Sequence, residues 1–297
     1  MPRLNTLKIV LANTLERTRI LYKFTFSQRS DFLRQFANIN LHPEANLWSS
    51  ACLSMREYGY ARLPNLLTSF YQDSYKALTT KELFSKSIDG SLPGITALKP
   101  PVKPLEGPTA YDISTSSDIL LNTQYWHNLE ILISTYLGTN CFWLRENPRL
   151  NIQEGTSDSS FDNREFYHTD YGMHQLSLVT LLNKTTENSI CTEVIPTTHN
   201  NPRFLTDFEI SNRQSYIAKA KKKANNLGSI KLFGDIGTTY LFDAGNLLHR
   251  ASFGTEDRAM LFFIFSCSYS YTRTQPAELV NKYRHLIGRK PSQIFQS

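Results

Sequence analysis

The sequence predicts a protein made mainly of β-strands with flanking helices, and three observations carry that reading. Short apolar segments recur at 165–169, 174–182, 190–195, 229–234, 238–243, 247–252 and 258–268. Turn-forming residues break them regularly, as in an antiparallel barrel or sandwich. Helical periodicity is concentrated ahead of them, within residues 1–137. The chain also holds 18 Phe and 15 Tyr, which suit broad sheets and an aromatic-lined interior.

Taken in order, residues 11–76 read mostly as helix, with Leu15, Ile20, Leu21, Phe24, Phe32 and Phe36 at loosely helical spacings. Leu47–Leu67 carries a helix that ends before or around Pro64. Lys81–Ser87 is a short helix closed by Gly90. Prolines 93, 100, 101, 104 and 108 make 91–108 an extended covering segment rather than a helix or a central strand. Helical pattern returns at 116–137, and Cys141–Leu144 opens the strand-rich half. A polar loop at 154–162 precedes the first strands of the list above. An insertion at about 203–226 contains a helix from Asp207 to Leu227 that ends at Gly228. Its Lys219, Lys221, Lys222 and Lys223 suit a solvated helix C-terminus, and phosphate contact is the alternative. Residues 277–286 form a last short helix.

The chain has 297 residues, 40% hydrophobic and 20% charged, as expected of a folded soluble protein. A net charge of +6 fits a soluble surface or an anionic substrate. Cys52, Cys141, Cys191 and Cys267 are scattered without a CxxC pair, which argues against a zinc knuckle and a disulfide framework. No segment reaches the roughly 20 apolar residues of a membrane span. Ile9–Ala12 is too short for a signal-peptide core, so cytoplasmic residence is expected.

The chemistry centres on His168-Thr169-Asp170 and His249. Residues i and i+2 on a strand face one side, so His168 and Asp170 can meet one ion if that segment is extended. Asp243–Asn246 supplies a tight turn just before His249. Two imidazoles and one carboxylate on a single face suit ferrous iron and leave the opposite face open. Zinc accepts the same ligands, and an isolated His-x-Asp is common as a surface feature or a core hydrogen bond. Arg258 heads an apolar strand, where burial demands a partner. A dicarboxylate matches its guanidinium fork; a salt bridge to Glu256, Asp257 or another side chain is the other reading.

These residues stand in a recognisable frame. EFYHTD at 165–170, LSLVTLLN at 176–183, EVIPTTHN at 193–200 and FDAGNLLHRAS at 242–252, followed by Arg258, resemble the phytanoyl-CoA dioxygenase family of Fe(II)- and 2-oxoglutarate-dependent oxygenases. The resemblance spans residues 145–268. It implies a double-stranded β-helix, a jelly-roll, cupin-like barrel of two antiparallel sheets, at 141–270, with 1–137 forming a largely helical support and substrate chamber within a single oxygenase domain over 1–297. It further implies that His168, Asp170 and His249 hold the iron and that Arg258 takes the distal carboxylate of 2-oxoglutarate. Where the family has Pro-Gly-Ser-His, this chain has Pro196-Thr197-Thr198-His199, which predicts a turn that avoids positive φ at Thr197. Retention of Asp170 disfavours the family's halogenating branch.

The implied reaction couples decarboxylation of 2-oxoglutarate to oxidation of a substrate C–H bond by dioxygen. The outcome is hydroxylation, with desaturation or cyclisation open to the same residues. Gln175 and Tyr240 are expected beside Arg258 at the co-substrate. Asn151, Gln153, Tyr171 and Trp143 are expected at the substrate, and Tyr167 as a neighbour. The substrate class is a small metabolite or natural-product intermediate, carboxylate-bearing if the charge balance is a guide. Basic residues do not interleave with aromatics in a nucleic-acid stripe, so a nucleic-acid-modifying oxygenase is the weaker alternative. A non-catalytic β-rich binding protein is the other. Either a monomer or a homodimer fits the sequence.

Overall fold

The apolar run that begins at Arg258 becomes the middle of the larger of two sheets. The computed structural model describes residues 45–99, 109–115, 123–137, 142–144, 147–156, 167–170, 175–200 and 213–267. In chain order the strands are β1 (Tyr60–Leu63), β2 (Ile95–Ala97), β3 (Thr109–Thr115), β4 (Phe142–Leu144), β5 (Arg149–Gln153), β6 (Gln175–Leu181), β7 (Thr192–Val194), β8 (Ile230–Leu232), β9 (Thr239–Phe242), β10 (His249–Ala251) and β11 (Arg258–Cys267). The helices are α1 (Ala45–Tyr58), α2 (Ser69–Lys76), α3 (Thr80–Asp89), α4 (Thr123–Leu137) and α5 (Arg213–Leu227).

The larger sheet runs β1-β9-β6-β11-β5-β3-β2, with β4 also paired to β11, and every pairing is antiparallel. The smaller sheet is β10-β7-β8, also antiparallel. A bridge from His168 to His249 extends it by one position. Among the described residues the two sheets do not close into a barrel. The result is a mixed fold of antiparallel sheets and flanking helices.

Period-two alternation explains the layers. On one face of the larger sheet Leu150, Ile152, Leu176, Leu178, Leu241, Ala259, Leu261, Phe263 and Phe265 join Trp48 and Met55 of α1 and Trp126, Leu129 and Ile133 of α4 in one buried cluster. Trp126 meets Phe263 edge-on at 5.7 Å between ring centroids. On the other face Val179, Leu181, Tyr240, Phe242 and Met260 pack with Val194 and Leu232 of the smaller sheet. Strand β6 is buried along its whole length because both its faces are covered. Each such Leu, Val or Phe contributes about 1.5–3 kcal/mol. The inner face also carries the polar side chains of Asn151, Gln153, Gln175, Ser177 and Arg258.

Helix boundaries follow local chemistry. Helix α3 ends on left-handed Gly90, as expected, and opens on a Thr79–Glu82 capping box that the sequence reading did not single out. Helix α1 ends at Tyr58, before Pro64, as expected. Gly59 takes φ +83, and a Cβ there would lie 2.6 Å from His199 Nδ1, so the chain leaves the helix and enters β1. Helix α5 ends at Leu227 before Gly228 at φ +75, and Ala220 packs with Tyr167, Ile195 and Leu248. Lys221 and Lys222 of that helix are exposed.

Strands β1, β2 and β3 lie inside the stretch expected to be largely helical. Strand β2 sits at the sheet edge, where the proline-rich surroundings do least harm. Strand β5 went unforeseen because its apolar positions are only Leu150 and Ile152, set between polar residues. The 165–169 strand is reduced to a single bridge at His168 in its described part. Expected helices before residue 45 and at 277–286, the segments 100–108 and 157–162, and the start of the insertion lie outside the described residues. Among the described residues no helix is long and apolar enough to cross a membrane.

Candidate metal centre

Pairing of two distant segments creates the site. His168 N–H donates to the His249 carbonyl at 2.8 Å, and His249 N–H donates back to the His168 carbonyl at 2.8 Å. The two residues are therefore directly opposite in antiparallel register. Their rings sit 4.6 Å apart between centroids, tilted by 50°. Asp170 Oδ1 lies 3.8 Å from His168 Nε2 and 3.6 Å from His249 Nε2. One ligand atom from each of the three lies within 4.8 Å of the others. His168 and Asp170 are half-buried and His249 is buried.

Neighbouring groups orient this set. His249 Nδ1 faces the Leu247 carbonyl at 3.0 Å and donates to it, which turns Nε2 toward Asp170. Gln175 Nε2 donates to Asp170 Oδ2. The Asp170 backbone N–H donates to the Ala244 carbonyl at 2.7 Å. Phe242 covers the His249 ring at 5.3 Å. Burial pushes the His249 pKa down, but the Asp170 carboxylate and the Leu247 carbonyl outweigh it and leave the group above its ordinary value.

These residues fit a divalent transition ion. Cis ligands with bonds of about 2.1 Å stand about 3 Å apart. The observed separations of 3.6 and 3.8 Å close to that with side-chain adjustment alone. Imidazole and carboxylate suit iron and zinc alike.

Arg258 is only 3% exposed and reaches across the space between the sheets. Its Nη2 donates to Gln153 Oε1, and Nη1 donates to Thr192 Oγ1 at 3.3 Å. Glu256 and Asp257 are engaged elsewhere. Glu256 accepts from the Thr186 and Ser189 hydroxyls, which hold its pKa below the ordinary value, and Asp257 accepts from Gly155 N–H. Thr192 pairs with Ala251, two residues along β10 from His249. Residues two apart share a face and are separated by about 7 Å. The guanidinium thus stands on the histidine's side of the smaller sheet.

The other expected residues take the following positions. Gln175, expected at the co-substrate, donates to Asp170. Tyr240, also expected there, sits in the inter-sheet core and donates its hydroxyl to the Phe233 carbonyl at 2.7 Å, a packing position. Gln153, expected at the substrate, accepts from Arg258. Asn151 occupies the inner face opposite Met260, and its Oδ1 is buried with no hydrogen-bond partner among the described residues. Tyr167 lies under Arg250, whose guanidinium is 4.4 Å from the ring centroid. Trp143 lies on β4 opposite Ser266, and Tyr171 falls outside the described residues.

Thr197 corrects a further expectation. It adopts φ +66 despite its branched side chain. Its N–H donates to the Tyr58 carbonyl at 3.1 Å, and the next residue, Thr198, accepts Leu248 N–H at 3.0 Å through its hydroxyl. These contacts override the local preference. Residues with a role that the sequence did not single out are Thr192, Thr198, Phe242 and the Leu247 and Ala244 carbonyls. Only the Asp243–Asn246 turn gave a signal for them.

The class defined by this geometry is a two-sheet antiparallel protein with flanking helices and a two-histidine, one-carboxylate centre. No protein-family model matches the chain, and no curated protein matches it. Solved structures do resemble it. A crystal structure of EctD from S. alaskensis with bound Fe aligns at 21% identity and TM-score 0.49, over 74% of this chain and 76% of that one. AviO1 from Streptomyces viridochromogenes Tue57 aligns at 14% identity and TM-score 0.46, over 73% and 94%. The non-heme alpha ketoglutarate dependent epimerase SnoN from nogalamycin biosynthesis aligns at 14% identity and TM-score 0.42, over 74% and 80%.

Proposed function

We propose that this protein is an Fe(II)- and 2-oxoglutarate-dependent oxygenase of the phytanoyl-CoA dioxygenase type, with a double-stranded β-helix core, acting on a C–H bond of a small metabolite or natural-product intermediate. The observation that carries this reading is the convergence of His168, Asp170 and His249 from two distant segments, with their ligand atoms within 4.8 Å. Facial binding by three protein groups leaves the remaining positions for exogenous ligands. When bound, iron would supply dioxygen activation coupled to decarboxylation of 2-oxoglutarate to succinate and carbon dioxide.

The chain's own residues do the rest. His168, Asp170 and His249 hold the ion, and Gln175 and the Leu247 carbonyl fix the orientation of two of them. Arg258, steadied by Gln153 and Thr192, receives the distal carboxylate of the co-substrate. The aliphatic and aromatic side chains between the sheets shield the reacting centre from water. Hydroxylation is the expected outcome, and desaturation or cyclisation uses the same residues.

The test is anaerobic titration of the purified protein with ferrous iron and 2-oxoglutarate. A weak visible charge-transfer band should form, and it should vanish in His168→Ala and His249→Ala. Substrate screening then follows succinate release, and a product heavier by one oxygen atom identifies hydroxylation. No band, together with tight zinc binding that excludes 2-oxoglutarate, would overturn the reading.

A further inference from the structure

The turn from Asp243 to Leu247 contacts Asp170, Gln175 and His249 without supplying a ligand. The Ala244 carbonyl accepts the Asp170 N–H at 2.7 Å. Gly245 N–H donates to the Gln175 carbonyl at 2.9 Å, and Gln175 in turn holds the Asp170 carboxylate. The Leu247 carbonyl fixes His249 Nδ1 at 3.0 Å. The position of one short turn therefore sets the orientation of two ligands from two segments.

That turn is held by a buried carboxylate. Asp243 is 3% exposed. Its Oδ2 accepts the Tyr136 hydroxyl at 2.7 Å, and its Oδ1 accepts the Asn246 N–H at 3.1 Å. Asn246 Nδ2 donates to both carboxylate oxygens at 3.1 and 3.0 Å. The Asp243 backbone closes the turn: its carbonyl accepts Leu247 N–H at 2.7 Å, and its N–H donates to the Gly59 carbonyl at 2.9 Å. Tyr136 comes from α4, in the helical layer on the other face of the larger sheet. A carboxylate buried this deeply is retained at a cost unless donors surround it, and here the donors come from the turn and from the helical layer.

We infer that Asp243 and Tyr136 are positioning residues that anchor the ligand-bearing turn to helix α4. This rests on the metal-centre reading above. Groups behind metal ligands typically change metal affinity 10–100-fold when removed. Deleting one phenol oxygen on a helix that supplies no ligand should therefore be felt at the ion.

The experiment titrates Co(II), as a spectroscopic stand-in, into the wild type, Tyr136→Phe, Asp243→Asn and a matched control, Tyr75→Phe. Tyr75 also donates a buried phenol to a carbonyl, that of Pro93 at 2.6 Å, but from α2, away from the turn. Thermal melts are recorded on the same samples. Tyr136→Phe and Asp243→Asn should raise the Co(II) dissociation constant about tenfold or more and alter the visible d–d band. Tyr75→Phe should melt lower and bind Co(II) like the wild type. Should Tyr136→Phe not fold, Asn246→Ala makes the same comparison from a half-buried position. Equal Co(II) binding by Tyr136→Phe and the wild type, or an equal loss in Tyr75→Phe, overturns the inference while leaving the metal centre intact. A wild type that binds no Co(II) overturns the metal-centre reading itself and this inference with it.

Discussion

Replacing Thr197 by glycine should stabilise the folded chain by about 1 kcal/mol. The residue holds φ +66, where Cβ crowds the carbonyl oxygen. A non-glycine residue there costs on the order of 1–3 kcal/mol, and a branched one sits in the upper part of that range. Glycine removes this strain but adds about 0.5–1 kcal/mol of unfolded-state entropy. The side chain is exposed, so little burial is lost, and the N–H bond to the Tyr58 carbonyl survives. The balance is about 1 kcal/mol, equivalent to about 2 °C in melting temperature for a chain of this size. Denaturant unfolding of the wild type, Thr197→Gly, Thr197→Asn and Thr197→Ala provides the assay. Glycine should rank first and asparagine second, because asparagine tolerates this conformation better than other side chains. If glycine destabilises, or if alanine matches it, the strain argument is wrong.

Other expectations follow from the same geometry. Arg258→Lys should weaken 2-oxoglutarate binding roughly tenfold by removing the planar fork, and Arg258→Ala should weaken it further, measured as KM in succinate release; unchanged KM values would remove Arg258 from the co-substrate site. Gly254→Ala should destabilise by about 3 kcal/mol, because its Cβ would sit 2.2 Å from the Ser189 carbonyl carbon, whereas Gly228→Ala meets no atom within 4 Å and should lose only about 1 kcal/mol through its positive φ. Glu193 resists burial, which raises its pKa, through hydrogen bonds from Arg250 and Ser229, which lower it below the ordinary value. With a folded pKa below the unfolded one, its contribution is complete above the usual carboxylate range and disappears as pH falls through the folded value. Stability of the wild type and Glu193→Gln should therefore differ at pH 7 and converge under acid; a pH-independent gap would contradict the assignment.

Elements whose periodicity agrees with their environment were readable from the sequence. Strands β6, β9 and β11 combine apolar alternation with clear turn boundaries, and α3 carries its terminating glycine. Strand β5 was hidden because its inward face is polar, carrying Asn151 and Gln153. Strand β1 was absorbed into the helical pattern of α1, and only Gly59, squeezed against His199 and Leu247, separates them. The three proposed ligands were legible because each is a chemically distinctive residue near a turn. The partners of Gln175 and Tyr240, Asp170 and the Phe233 carbonyl, were not legible because position along a strand fixes which face a side chain takes but not which polar partner it meets first. Tyr136 was invisible for a related reason: on α4 it is one aromatic among several at core spacing, and its hydroxyl has meaning only beside Asp243, 107 positions away.

The reciprocal backbone bonds between His168 and His249 tie assembly of the centre to completion of the chain's topology. Neither imidazole meets the other until an 81-residue loop has closed, so an unfolded or half-collapsed chain offers an ion no pre-arranged grip. An ion that selects the closed state stabilises it by mass action, by about 2.7 kcal/mol at a hundredfold excess over its dissociation constant. Metal supply would then govern how long each molecule survives heat and proteolysis as well as whether it turns over, and chelation should shorten its lifetime before any substrate is involved.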